Sequence, residues 1–301
     1  MKLLVPLLAL ASLTNLVAAD KLAVASLSTV LSDISENVGG DKVAITNIVK
    51  PGVDPHDFTP SPSDIKTISN STLVLASGLG FETYLEKLRE SVGTKPTFVV
   101  AGDALKPIYG FSECEDHAAH GHTHADPKTT PDPHWFHSIR NVEVVTNQMR
   151  DAFIKADPTN KTTYTANAKA YQGKLAGLRK WVNLQLATLP KDKRVLVTSH
   201  DALGYFARDY GFRVFPVEGF STSDQPSSKR VAELIQEIRA AKVKAIFAEN
   251  IENPKVLREI TKETGATLGG VIYADGLGDN EAKTFDSMMR HNVTTVVGAL
   301  K

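Results

Sequence analysis

The stretch DPTNKTTYTANAKAYQGKLAGLRKWVNLQLATLP, residues 157–190, decides the fold. Tyr164, Ala168, Tyr171, Leu175, Leu178, Val182 and Leu186 recur at steps of three or four, which paints one apolar face along a helix. Asp157 followed by Pro158 offers a cap with proline at the first helical position, and Pro190 closes the far end. The spacing predicts one uninterrupted linking helix over 157–189. At about thirty residues it would run roughly 45 Å, more than the usual width of one lobe.

On both sides of this helix, short β-rich apolar runs alternate with helical patterns. Before it come KLAVAS (21–26), KVAITNIV (42–49), TLVLAS (72–77) and TFVVA (97–101). After it come RVLVTS (194–199), RVFPV (213–217), AIFAE (245–249) and GGVIYA (269–274). STVLSDISENVGG (28–40) ends on a glycine pair, as a helix does. SPSDIKTISN (61–70) opens with capping residues, and FETYLEKLRE (81–90) is amphipathic. Such alternation implies parallel sheets covered on both faces. The expected class is therefore α/β with two lobes, each a parallel sheet flanked by helices, joined by one long backbone helix. The boundaries are 20–156 for the N-terminal lobe, 157–189 for the helix and 190–301 for the C-terminal lobe.

MKLLVPLLALASLTNLVAAD has one lysine, an apolar run and a small-residue site at Ala19, the pattern of a cleavable signal peptide over 1–19. No later segment is apolar enough to span a bilayer. The expectation is a periplasmic or secreted chain. Cys114 is the only cysteine, which excludes an intrachain disulfide and, lying far from the leader, gives no lipid-attachment site. The 34 basic and 34 acidic residues balance, and loss of Lys2 with the leader leaves 33 against 34, so nothing points to nucleic acid. Asn70, Asn160 and Asn292 head N-x-Ser/Thr triplets, which matter only if the source glycosylates.

Of nine histidines, six fall between residues 117 and 137. His117, His120, His122 and His124 lie in SECEDHAAHGHTHADPKTTPDP (112–133), a polar loop without periodicity that also carries Asp116 and Asp126. They are spaced like loose, auxiliary metal ligands. Two histidines outside this loop sit where open α/β sheets bind ligands. His200 follows the strand at 194–199, and His56 follows the end of the second strand after a turn; His134 lies in PDPHWF. Asp275 closes the strand at 269–274. Singly, each also fits a bland role: a hydrogen-bonded histidine, or for Asp275 a turn former. Jointly, three imidazoles and one carboxylate would make a closed tetrahedral site for a borderline cation, Zn²⁺ before Mn²⁺. Glu249 and Asn250 close the strand AIFAE and read as helix caps or as partners behind the cleft; Asp224 reads as a loop residue.

VDPHDFTPSPSDIKTI (53–68), DPHWF (132–136), VTSHDALGYFARDYGF (197–212) and YADGLGD (273–279) resemble the four signature segments of the metal-binding proteins of zinc and manganese ABC transporters. The resemblance covers essentially all of the chain after the leader. It implies metal ligation by His56, His134, His200 and Asp275, with His200 matching the zinc rather than the manganese members. It also implies a membrane permease as partner, with a metallochaperone as a further candidate, and a monomer. One departure stands out: the family continues DPH with a WLDP-like run, and here the run is WFHS. His137 is therefore a substitute ligand, a partner of a ligand, or a solvent-facing side chain. The family's zinc members often carry a His-rich loop, which implies capture or hand-off at 112–133; the competing reading is a solvated polar loop that binds metal only adventitiously. The competing functions are a secreted zinc scavenger or adhesion factor without a transporter, and a zinc hydrolase. Against the hydrolase, HExxH is absent, Ser199 lacks a nucleophile-elbow context, and GLGFE (78–82) is no dinucleotide fingerprint.

Overall fold

The computed structural model of the chain describes residues 21–110, 130–220, 226–251 and 255–301. The expected leader (1–19), His117, His120, His122, His124, Cys114 and Asp224 lie outside the described residues.

The N-terminal lobe runs β1 (Leu22–Ser26), α1 (Thr29–Gly39), β2 (Val43–Asn47), α2 (Pro62–Asn70), β3 (Leu73–Ala76), α3 (Leu85–Val92), β4 (Thr97–Val100) and α4 (Ile139–Ala156). The linking helix is α5 (Lys161–Leu186). The C-terminal lobe runs β5 (Val195–Thr198), α6 (Gly204–Tyr210), β6 (Arg213–Pro216), α7 (Ser228–Ala240), β7 (Ala245–Glu249), α8 (Lys255–Thr264), β8 (Thr267–Ile272) and α9 (Phe285–Leu300). The first sheet is parallel throughout, in the order β2-β1-β3-β4. The second lobe holds two parallel pairs, β5-β6 and β7-β8, with β5 beside β7. Covered on both faces, β3 and β5 are buried at every position, which is why they read as unbroken apolar runs.

Local chemistry sets the ends of the elements. Ser61 and Asp64 form a capping box at the start of α2, with Pro62 at its first turn. Helix α1 starts on the Ser28 hydroxyl and stops where Gly40 takes a φ of 56°. Strand β8 begins two residues earlier than the glycine-led run suggests. Gly269 lies so close to Phe247, Ala245 and Ala299 that a Cβ there would clash, so the glycines belong inside the strand. Asp275 consequently sits three residues past the strand end rather than closing it.

The linking helix is shorter than its sequence suggests. Asp157 does not cap a backbone N–H. Its carboxylate accepts from Thr159 Oγ1, Asn160 Nδ2 and Tyr164 OH, and residues 158–160 form a 3-10 turn before the 26 residues of α5. All seven apolar residues of its stripe are at most 5 % exposed. Burial of each large one contributes roughly 2 kcal/mol. They meet α4, α1 and α9. Helix α4 runs antiparallel to it: Phe153 packs against Tyr164 with the rings tilted, while Gln172 Nε2 donates to the carbonyl of Glu143 further along. One central cluster of apolar side chains thus runs from Leu22 of β1 through α5 to Leu300 of α9. Two smaller clusters lie under α2 and α3, and under α7 and α8.

Single side chains tie lobe to helix to lobe. Asp33 of α1 accepts from Tyr171 OH of α5 at 3.1 Å and from Phe285 N at the start of α9 at 3.2 Å. Burial pushes its carboxyl up to about 6 against the pull of those two donors. Ser138, ahead of α4, donates to Asp209 of α6 at 2.5 Å.

Candidate metal centre

His56, His200 and Asp275 follow the carboxyl ends of β2, β5 and β8, His134 comes from the segment ahead of α4, and all four are buried. His56 lies in the turn after β2. Its N–H donates to Asp54 Oδ1, Thr83 Oγ1 donates to its carbonyl, and its ring stands edge-on to Phe81 with centroids 4.8 Å apart. His134 precedes a short 3-10 turn at Trp135–His137. Asp132 accepts both its backbone N–H at 2.8 Å and its Nδ1 at 2.9 Å. His200, two residues past β5, has Nδ1 at 2.5 Å from Glu249 Oε2 and its backbone N–H on Glu249 Oε1. With Nδ1–H given to a carboxylate in both rings, each turns an Nε2 lone pair towards the centre.

There the donors converge. Asp275 Oδ1 lies 3.4 Å from His56 Nε2, 3.2 Å from His134 Nε2 and 3.1 Å from His200 Nε2. His134 Nε2 is 3.3 Å from Nε2 of both His56 and His200. The sixth edge, His56 to His200, falls within the 4.8 Å that spans the whole group. Zinc bonds to nitrogen and oxygen of about 2.0–2.1 Å place tetrahedral ligands roughly 3.3 Å apart. Three lone-pair nitrogens and a carboxylate oxygen at such spacing repel unless protons or a cation sit among them. Asp275 Oδ2 is buried with no hydrogen-bond partner among the described residues, a second sign that the centre is shaped for a cation.

The charges agree. Burial disfavours the Asp275 carboxylate, yet the His200 imidazole and hydrogen bonds from His134, His200 and His56 hold its carboxyl well below the usual range. Burial likewise opposes a charged His200, but Asp275 and Glu249 outweigh it and push that imidazole well above its ordinary value. His134 is raised the same way by Asp132 and Asp275. A groove between the lobes, bounded by Ser28, Val49, Gly52 and Phe81 on one side and by Asn250 and Leu277 on the other, reaches Asp275.

The family model described as zinc-uptake complex component A, periplasmic (ZnuA), matches residues 24–299. The chain belongs to the ZnuA family. Members of the ZnuA family are metal-binding periplasmic components of ABC metal transporters; they are substrate-binding proteins, not enzymes. Among curated relatives, the manganese-binding lipoprotein MntA of Bacillus subtilis is 32% identical over 94% of this chain and 90% of its own. The iron-binding protein YfeA of Yersinia pestis is 31% identical over 92% of this chain and 86% of its own. The solved periplasmic zinc-binding protein TroA of Treponema pallidum superposes with a TM-score of 0.83 at 27% identity, covering 93% of this chain and 99% of that one. Zinc, manganese and iron all occur among these relatives, and some are named lipoproteins.

Residues that the sequence left open now have places. His137 does not join the cluster: its Nε2 is 2.7 Å from the carbonyl oxygen of Ala274, and the ring is buried. Of the two readings of Glu249, helix cap or partner behind the cleft, the structure shows the second: it pairs with His200. Asp132 was not singled out at all, although an aspartate two residues before a histidine offers a turn that can hold it. Asn292 is closed to glycosylation in the folded state, because its side-chain amide pairs with both N and O of Tyr273. No helix among the described residues is long and apolar enough to cross a membrane.

Proposed function

We propose that the chain, exported by the leader at 1–19, captures Zn²⁺ between its lobes through His56, His134, His200 and Asp275 and delivers it to an ABC transporter permease. The observation that carries this is the N₃O convergence at 3.1–3.4 Å, with two of the imidazoles oriented from behind by carboxylates. Three imidazoles and a single carboxylate suit zinc better than an oxygen-seeking ion. Four protein ligands also leave no position for an activated water, which weighs against a hydrolase. Metal analysis of purified wild type beside His200→Ala tests the site. One zinc per wild-type chain and a drop of about a hundredfold or more in affinity for the variant are expected; an unchanged variant sinks the assignment. Delivery is tested by zinc uptake in cells with and without the permease, where equal uptake would favour the scavenger reading.

Manganese is the second reading, favoured by one feature. The free Asp275 Oδ2 offers a fifth donor atom, which a harder ion would use. Competition between the two ions decides. His117, His120, His122 and His124 we assign to capture, raising local zinc near the cleft. In support, Tyr109, before the segment, pairs in an antiparallel bridge with Pro131, three residues ahead of His134. Removing residues 115–126 should slow zinc loading without abolishing it; an unaltered rate and stoichiometry would count against the role.

A further inference from the structure

The turn that carries Asp275 belongs to the C-terminal lobe, yet the N-terminal lobe grips it on both sides. One residue before Asp275, His137 Nε2–H donates to the carbonyl of Ala274 at 2.7 Å. Two residues after it, Leu277 N donates to Thr29 Oγ1 at 2.8 Å. Asn292 of α9 fixes Tyr273 on the strand side. His137 is the member of this set that departs from the WLDP-like family run. Burial keeps its imidazole at about 4, so near neutral pH it is uncharged and its Nε2–H is a constant donor. A small cavity lined by His137, Leu203, Phe206, Ile272 and Met289 lies beside the ring.

The geometry points to His137 as a positioning residue that, through the Ala274 carbonyl, presents Asp275 to the three imidazoles by one oxygen only and so tilts the centre towards four-coordinate zinc. The inference rests on the metal site proposed above. Its physical content is the contrast between the two oxygens of Asp275. Oδ1 touches all three imidazoles, whereas Oδ2 is buried without a hydrogen-bond partner among the described residues. A buried carboxylate oxygen without a partner gains by finding one. If the turn were slack, the carboxylate would rotate to offer both oxygens, and a five-coordinate site would suit Mn²⁺ better. Holding the turn by its carbonyl prevents that rotation without touching the ligand.

The test uses the full chain loaded with zinc, manganese or cobalt ions, comparing wild type with His137→Leu and His137→Gln. Leucine fills the space without donating; the glutamine amide can still donate to the same carbonyl. The leucine variant should lose about tenfold in zinc-over-manganese preference, the scale of one buried hydrogen bond. Its cobalt form should show the weak visible absorption of five-coordination rather than the intense bands of a tetrahedral site. Glutamine should restore both readouts. An unchanged preference and spectrum in the leucine variant overturns the proposal. So does an equal loss for both ions with the spectrum intact, which would make His137 merely structural. If leucine prevents folding, nitrogen-15 spectra of wild type decide. The His137 Nε2–H must stay protonated and unmoved on zinc loading while His56, His134 and His200 shift, and a shift of His137 to a metal-bound value refutes the role. Failure of wild type to bind zinc, or retention of zinc by His200→Ala, overturns the underlying site and this inference with it.

Discussion

Two carboxylates stand behind the cluster and do different work from the one inside it. Glu249 and Asp132 each take an Nδ1–H, which orients the ring and makes Nε2 a better donor. Glu249→Gln, similar in shape but uncharged, should weaken zinc binding by about 10- to 100-fold in a competition titration while leaving the fold intact. The same charges predict the response to acid. His200 and His134 hold protons above the usual imidazole range in the metal-free protein, so zinc must displace protons near neutrality. Binding should strengthen as pH rises from about 6 to about 8, and calorimetric heats should differ between buffers of unlike ionisation enthalpy. Identical heats in all buffers would contradict this. His56, His200 and Asp275 were legible because each follows a β-rich run at whose end an α/β sheet exposes its ligands; His134, which follows no strand, was legible only through its DPHWF segment. Asp132 and Glu249 were not legible in that way, because an acidic residue behind a histidine looks the same in sequence as one capping a turn or helix. Only the spatial pairing of Glu249 with His200, 49 residues earlier, separates the two.

At the scale of elements, the strands fell within two residues of their apolar runs, since buried parallel strands leave little choice of pattern. The linking helix was found by its stripe and missed at its start. Nothing in the pair Asp157-Pro158 says that side chains rather than backbone N–H groups will occupy the carboxylate. Helix α4 carries the same spacing at Ile139, Val142, Val145, Met149 and Phe153, yet no neighbouring strand demands it, so alternation alone passes over it. Within α5, Gly173 and Gly177 lie on the exposed face with open space where a Cβ would project. Gly173→Ala and Gly177→Ala should each stabilise the protein by roughly 0.5–1 kcal/mol, read as a higher midpoint in urea, with zinc affinity unchanged. A loss of stability would mean that these glycines serve a contact the helix does not display.

Across the whole molecule, the ties between lobes outnumber what a hinge would tolerate. Asp33 joins α1, α5 and α9; Thr29 and His137 hold the Asp275 turn; Ser138 meets Asp209. Zinc loading should therefore leave the small-angle scattering curve almost unaltered, with changes confined to the groove; a marked contraction would show that the lobes close as bodies. The continuous apolar cluster from Leu22 to Leu300 has a thermodynamic corollary. Although each lobe keeps a smaller cluster of its own, the largest interior is common to both, so neither can melt without exposing the other. Scanning calorimetry should give one endotherm whose integrated heat equals the enthalpy inferred from its sharpness, as expected when neither half survives the loss of the other.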